Sequence, residues 1–290
     1  MSADRLEISD RVCLVTGAGR GIGLATAREL VGRGARGVVL VDVSEDELGG
    51  AAAEIGDRAL AFAADVTDPE AMAGAVSAAR EHFGALDVVV ANAGIERVGT
   101  VRTQPAEEFE RVIEVNLLGV YRTLAPAIDP VVERRGHLLA VSSVAATVAW
   151  PLGVAYGASK SGVESLMRGL RAELVDTGAT AGAAYFGYID TPMMERARRH
   201  PAVEHTFTRS SRWAQRPNPP EAAARAIVDG IERRKARVWT PRQVRRLLLL
   251  RGLIHVVEDR FVRRLDVAGA VRIAEGEAEA KAREREPVGG

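Results

Sequence analysis

Thr16-Gly-Ala-Gly-Arg-Gly-Ile-Gly23, TGAGRGIG, is the stretch whose reading decides the fold. It follows a short β-rich run, RVCLVT at 11–16, and opens LATARELVGR at 24–33, whose apolar residues recur at helical spacing. Strand, glycine turn and helix in that order make a unit whose glycines let backbone amides and a helix N-terminus approach a pyrophosphate. The spacing is Gly-x-x-x-Gly-x-Gly, and in a chain with 29 glycines such a string also fits an ordinary tight turn. Its surroundings have to decide.

Working outward, the same alternation recurs. Strands are predicted at 37–42 (GVVLVD), 59–63, 86–91, 137–142, near 180–185 and at 236–240, with helices at about 45–55, 69–83, 105–133, 156–175 and 220–234. Near-continuous apolar strands alternating with amphipathic helices describe a parallel sheet covered on both faces. The expected fold is therefore α/β: a single-domain, doubly wound, Rossmann-type sheet over 1–240. A polar, Arg-rich loop is expected from 193 to 218. Beyond 240, residues 241–274 read as an amphipathic helical extension and 275–290 as a low-complexity, disordered tail.

The 290 residues are 47% hydrophobic and 27% charged, with 39 basic side chains balancing 39 acidic ones. That composition supports a large core and excludes a disordered chain or a general nucleic-acid binder. The balance is uneven along the chain, because residues 1–194 carry an acidic excess and 195–290 an equal basic one. A single cysteine, Cys13, leaves no disulfide framework and no cysteine-based zinc site, and no metal is expected. No run is long and apolar enough to cross a membrane, and MSADRLEISDR lacks a signal peptide's apolar centre, so the expected compartment is the cytoplasm.

Three further features carry chemistry. Asp42 ends the second strand, where a carboxylate can accept hydrogen bonds from the adenosine ribose and repel a 2′-phosphate, which favours NAD over NADP. Arg20, inside the glycine loop, argues the other way. Tyr156 and Lys160 are four apart at the start of a helix and share a face. A tyrosine has an ordinary pKa near 10, and a neighbouring ammonium lowers it toward useful acid–base chemistry. Isolated, that spacing also fits an interfacial tyrosine and a solvated lysine, but the chain has only three lysines and one lies here. Ser143 ends a strand 13 residues before Tyr156, at the sheet edge where a hydroxyl can polarise a carbonyl.

In combination, TGAGRGIG, Asp42, Asp65-Val66, Asn92-Ala93-Gly94, Asn116, Ser143 and Tyr156-x-x-x-Lys160 resemble the short-chain dehydrogenase/reductase family over about residues 9–240. The resemblance implies that Gly17, Gly21 and Gly23 contact the cofactor diphosphate, with Arg20 and Ile22 of the same loop also binding the cofactor, Asp65 and Val66 the adenine, and Asn92, Ala93 and Gly94 the ribose region. It implies that Ser143 holds the substrate oxygen, Tyr156 exchanges its proton, and Lys160 lowers the Tyr156 pKa and binds the nicotinamide ribose. Asn116 would anchor a water to the Lys160 backbone, and Ile189 and Thr191 would touch the carboxamide.

Two departures stand out. Phe186-Gly187 replaces the Pro-Gly that many members carry, and the chain runs on past Trp239 into an Arg/Leu-rich helix at the point where members that reduce acyl-carrier thioesters commonly finish with a short strand and a Gly-Gly tail. This argues against acyl-carrier reduction and the tetramer that goes with it. The expected activity is NAD(H)-dependent interconversion of a secondary alcohol and a ketone on an apolar, steroid-, terpenoid- or lipid-like molecule, with specificity in the 193–218 loop through Met193, Met194, Phe207 and Trp213. The alternatives are an NADP-dependent ketoreductase and a non-catalytic NAD-binding redox sensor. A homo-oligomer, dimer or tetramer, is expected from the resemblance. The extension fits a cover over the pocket or subunit interface, a peripheral membrane-surface helix, or an exposed tail.

Overall fold

Seven parallel strands, ordered β3-β2-β1-β4-β5-β6-β7, form the sheet of the computed structural model, which describes residues 5–285. They are β1 (Val12–Thr16), β2 (Gly37–Asp42), β3 (Ala59–Ala63), β4 (Val88–Ala91), β5 (His137–Val141), β6 (Thr180–Phe186) and β7 (Arg237–Thr240). The largely apolar β1, β4 and β5 are buried along their whole length, as central parallel strands must be when helices cover both faces. Chain order reverses between β1 and β4, which pair in parallel through Cys13–Val88, Leu14–Val89 and Val15–Val90. A crevice at the carboxyl ends of these two strands is where such sheets bind ligands.

One face is covered by α1 (Gly21–Gly32) and α2 (Glu45–Ile55), the other by α3 (Pro69–Phe83) and a long broken helix. Local chemistry explains the ends. Ser44 caps α2 by accepting from the Glu47 amide, and Asp68 caps α3 by accepting from Ala71, with Pro69 in the first turn and Gly84 at φ +78° behind its end. The span predicted as one helix at 105–133 is divided: α4 (Ala106–Ile113), a π-helical turn at Glu114–Leu118, α5 (Gly119–Leu124), a 3₁₀ turn and α6 (Ile128–Glu133). The π turn contains Asn116 and turns it toward the site.

After β5, α7 (Val154–Glu173) carries Tyr156 and Lys160 in its first turns. The loop expected at 193–218 contains three short helices instead: α8 (Pro192–Arg198), α9 (Pro201–Phe207) and α10 (Arg212–Gln215). Thr191 and His200 cap the first two, each ahead of a proline, which explains how so polar a stretch becomes helical. Then α11 (Pro220–Glu232) packs on α1, placing Ile227, Val228 and Ile231 in the core with Leu30.

The extension forms two helices, α12 (Arg242–Arg264) and α13 (Val267–Arg285), where one was expected. It is no separate unit, since Val244 and Leu248 of α12 are buried in the core that also holds Tyr185, Met167 and Leu138. The segment expected as a disordered tail from Glu275 continues α13 to Arg285, and 286–290 lie outside the described residues. Alanine, glutamate, lysine and arginine favour helix, and Ala270 and Ala274 anchor α13 against Ala202 and Leu152.

Candidate active site

The glycine loop is shaped by contacts that leave no space for side chains. Gly17 and Gly21 sit at φ +64° and +57°, and a Cβ on Gly23 would lie 2.0 Å from the Gly17 carbonyl oxygen. Thr16 ties this loop to the 92–94 turn: its hydroxyl accepts from the Asn92 and Ala93 amides at 3.0 and 3.1 Å, while Asn92 Nδ2 donates to the Thr16 and Gly17 carbonyls. Helix α1 starts at Arg20 with no side-chain cap and no acidic residue in its first turn, so its leading amides remain available to an anion. A cradle that a Cβ would fill, facing uncapped amides, fits the diphosphate of a dinucleotide.

Asp42 Oδ2 accepts from the Gly19 amide at 3.0 Å and Oδ1 from the Ser44 amide at 3.3 Å, which holds the carboxylate against the loop. Arg20 turns to Glu47, 2.5 Å away. Asp65 is bonded by Arg111 at 2.7 Å and by the Thr67 amide at 2.9 Å. Burial pushes its carboxyl up, but those bonds outweigh it and hold the group below the usual range. Val66 is buried against Gly119, where a Cβ would come within 2.7 Å of it.

Around the reacting position, Asn116 is fully buried, and its side chain bonds Ile95 through both amide and carbonyl, at 2.8 and 2.9 Å, and Ser159 at 3.2 Å. Gly94 lies between them and α7, since a Cβ there would meet Asn116 Oδ1 at 3.2 Å and Lys160 Nζ at 3.4 Å. Lys160 is 3% exposed, donates to the Val141 carbonyl at 2.9 Å, and has its Nζ 5.6 Å from the Tyr156 ring centre. Burial lowers its pKa to about 8. Ser142 donates to the Lys160 carbonyl at 2.9 Å, locking α7 to the end of β5. Ser143 caps the next turn by accepting from Ala145 at 3.2 Å and lies beside Tyr156, where its hydroxyl favours the phenolate.

The Tyr156 phenol is pushed up by burial and by the Glu96 carboxylate, while the Ser143 hydroxyl pulls it down. This is opposite to the direction expected from Lys160 alone, and the physical reason is enclosure beside an acid. Glu96 was not expected at the site. It accepts from Trp150 Nε1 at 3.2 Å, and burial raises its own pKa. The one trace in the sequence is a charged residue directly behind the Asn-Ala-Gly turn.

Of the expected specificity residues, Phe207 packs edge-on to Tyr188 at 5.3 Å with Arg198 over its face at 4.3 Å, which stiffens the segment. Ile189 is buried and Thr191 caps α8, with its methyl group in ordinary contact distance of a Cβ built on Gly21. Helix α13 lies across α9, and Ala270 and Ala274 join Leu152, Ala202 and Val98 in one apolar cluster. Glu275 reaches Arg102 at 3.4 Å, and Asp266 bonds His205 at 2.9 Å. The extension is thereby fastened to α9 and to the segments near 98–102 and 152.

The fold is a Rossmann-type one with a glycine cradle and a Ser143–Tyr156–Lys160 cluster at the carboxyl edge of its sheet, the class of an oxidoreductase. The short chain dehydrogenase family model matches residues 11–202, and the chain belongs to that family. It is 37% identical over 196 residues to a trans-4-hydroxycyclohexanecarboxylate dehydrogenase of Sinomonas cyclohexanicum, covering 64% of this chain and 75% of that protein. It is 34% identical over 186 residues to a 3-alpha-(or 20-beta)-hydroxysteroid dehydrogenase of Mycobacterium tuberculosis, covering 64% and 71%. A short chain dehydrogenase/reductase of Burkholderia phymatum, solved in complex with NAD, shares the fold at TM-score 0.77 and 22% identity, over 87% of this chain and 96% of that one.

Proposed function

We propose that the protein interconverts a secondary alcohol and a ketone with NAD(H), on a small apolar molecule. The observation that carries this reading is the meeting of Ser143, Tyr156 and Lys160 beside the glycine cradle, at the carboxyl edge of the sheet. A bound nicotinamide supplies the hydride acceptor or donor and, when oxidised, a positive charge. The chain's own residues manage the proton. Tyr156 takes the hydroxyl proton in the oxidation direction and returns it in reduction, and the Ser143 hydroxyl fixes the oxygen from which it moves. Lys160 offsets charge on the phenolate from a position held by the Val141 carbonyl. Asn116 and Ser142 hold the 95 turn and the start of α7 in register, so that the acid–base pair is positioned before substrate arrives.

The preference for NAD is supported by Asp42 and Glu47, two carboxylates at the end of β2 and the start of α2, where a 2′-phosphate would lie. Arg20, the residue that could welcome that phosphate, is already paired with Glu47. Apolar substrate character is supported by the Val98, Leu152 and Ala202 cluster under α13 and by the cyclic hydroxy compounds named for the relatives. Exposed Leu118 and Tyr121 on the broken helix support self-association through that face.

The test follows nicotinamide absorbance with NAD and NADP over a panel of apolar secondary alcohols and ketones, beside a Tyr156→Phe variant. NAD-dependent turnover, lost in the variant while dinucleotide binding persists, is the expected result. Full turnover by Tyr156→Phe would overturn the proton role, and a preference for NADP would overturn the reading of Asp42.

A further inference from the structure

Helix α12 has two unlike faces. One is structural: Val244 and Leu248 enter the core, and Arg251 pairs with Glu164 at 2.8 Å. The other has no partner among the described residues. Leu249, Leu250, Leu253 and Val256 recur there at helical spacing, between 52% and 80% exposed, with Arg245 and Arg246 before them and Arg260 and Arg263 after. Among the described residues none of these arginines has a carboxylate partner.

The same face continues into a groove. Arg245 lies over the Trp239 ring at 5.8 Å, and Leu249 follows it by one turn. Trp239 and Met167 form the apolar wall of a groove of about 450 Å³ between α7 and the β6–β7 edge, Arg168, Lys235 and Arg237 rim it, and Arg171 lines it while donating to the Ala181 and Arg234 carbonyls. Among the described residues, no carboxylate lines this groove. Cations around an apolar floor suit phosphate head groups, and the leucine row beside it suits the boundary between head groups and acyl chains.

We propose that α12 and this cationic groove form one docking surface for an anionic phospholipid bilayer. The charge pattern selects that occupant over a second copy of the chain, because a two-fold contact would set the same unpaired arginines against each other. The attachment is peripheral, since no described helix is long and apolar enough to cross a membrane. The inference does not depend on the proposed reaction and is read without any activity assay.

The test floats the full chain with phosphatidylcholine vesicles, with or without about one-third phosphatidylglycerol. Roughly tenfold more protein should float with the anionic vesicles, less as salt rises. The Leu250→Glu/Leu253→Glu variant, altered only at exposed positions, should lose that binding while keeping its thermal unfolding midpoint. Absence of flotation with anionic vesicles, or equal flotation of the folded variant, would overturn the proposal. So would a wild-type dimer that the variant dissolves in sedimentation without any vesicle binding, since the face would then belong to a second copy.

Discussion

Replacing Lys160 by methionine should make the cofactor-free protein more stable while removing its activity. The ammonium is 3% exposed, and burial lowers its pKa from 10.5 to about 8. At about 1.4 kcal/mol per tenfold change in proton affinity, keeping Lys160 charged inside the fold costs about 3 kcal/mol at pH 7. Methionine keeps the length and removes the charge, but leaves the Val141 carbonyl without its 2.9 Å donor, which returns about 1–2 kcal/mol of that gain. The net expectation is a stabilisation of about 1–2 kcal/mol near neutrality.

The sign with pH is opposite to that of an ordinary ion pair. Between pH 8 and 10.5 the unfolded chain still binds the proton that the folded chain has released, so the wild type gains stability with rising pH across that window. The raised tyrosine and cysteine groups act in the other sense at high pH, but they are common to both proteins and cancel in the difference. Urea midpoints of wild type and Lys160→Met at pH 7 and 10.5 measure this, and the difference in stability should move by about 3 kcal/mol in favour of the wild type. Turnover of the variant should fall at least ~100-fold. A stability difference that stays constant with pH would refute the reasoning, because Lys160 would then ionise as a solvated lysine does.

Further outcomes follow from other parts of the molecule. Asp42→Ser with Glu47→Gln should move the kcat/KM ratio toward NADP by roughly 100-fold, because a like charge about 4 Å from the phosphate costs ~1–4 kcal/mol, and because Arg20 is released; an unchanged ratio would remove Asp42 as discriminator. Truncation after residue 240 should cost about 3–6 kcal/mol by uncovering the core around Val244 and Leu248, visible as a lowered urea midpoint or loss of soluble protein. A truncated chain as stable as the full one would show α12 to be an appendage.

Much of the framework could be read locally. The strand at 37–42 and the helices at 45–55 and 69–83 are where apolar periodicity and the Ser44 and Asp68 caps put them. The four-residue spacing of Tyr156 and Lys160 needs only a helix to bring them to one face. Polar stretches were less legible: the arginines at 193–218 hid three short helices, two of them capped by Thr191 and His200, and low complexity after Glu275 hid the end of α13. There, helix propensity and capping prevailed over the polar composition.

What the sequence by itself determined is thus the alternation of elements and the residue types at the sheet's carboxyl edge, because both are properties of neighbours along the chain. Tertiary structure alone decided which neighbours in space each of these residues has. Thr16 meets Asn92 across 76 positions, Glu96 meets Trp150 across 54, and Val244 returns to the core beside Tyr185. It also decided the electrostatic surroundings: the Lys160 pKa is lowered by burial, that of Tyr156 is raised by burial and Glu96, and Arg20 is paired with Glu47. The physical reason is that desolvation and Coulomb interaction depend on what surrounds a group in space, and no local pattern of residues encodes that distance.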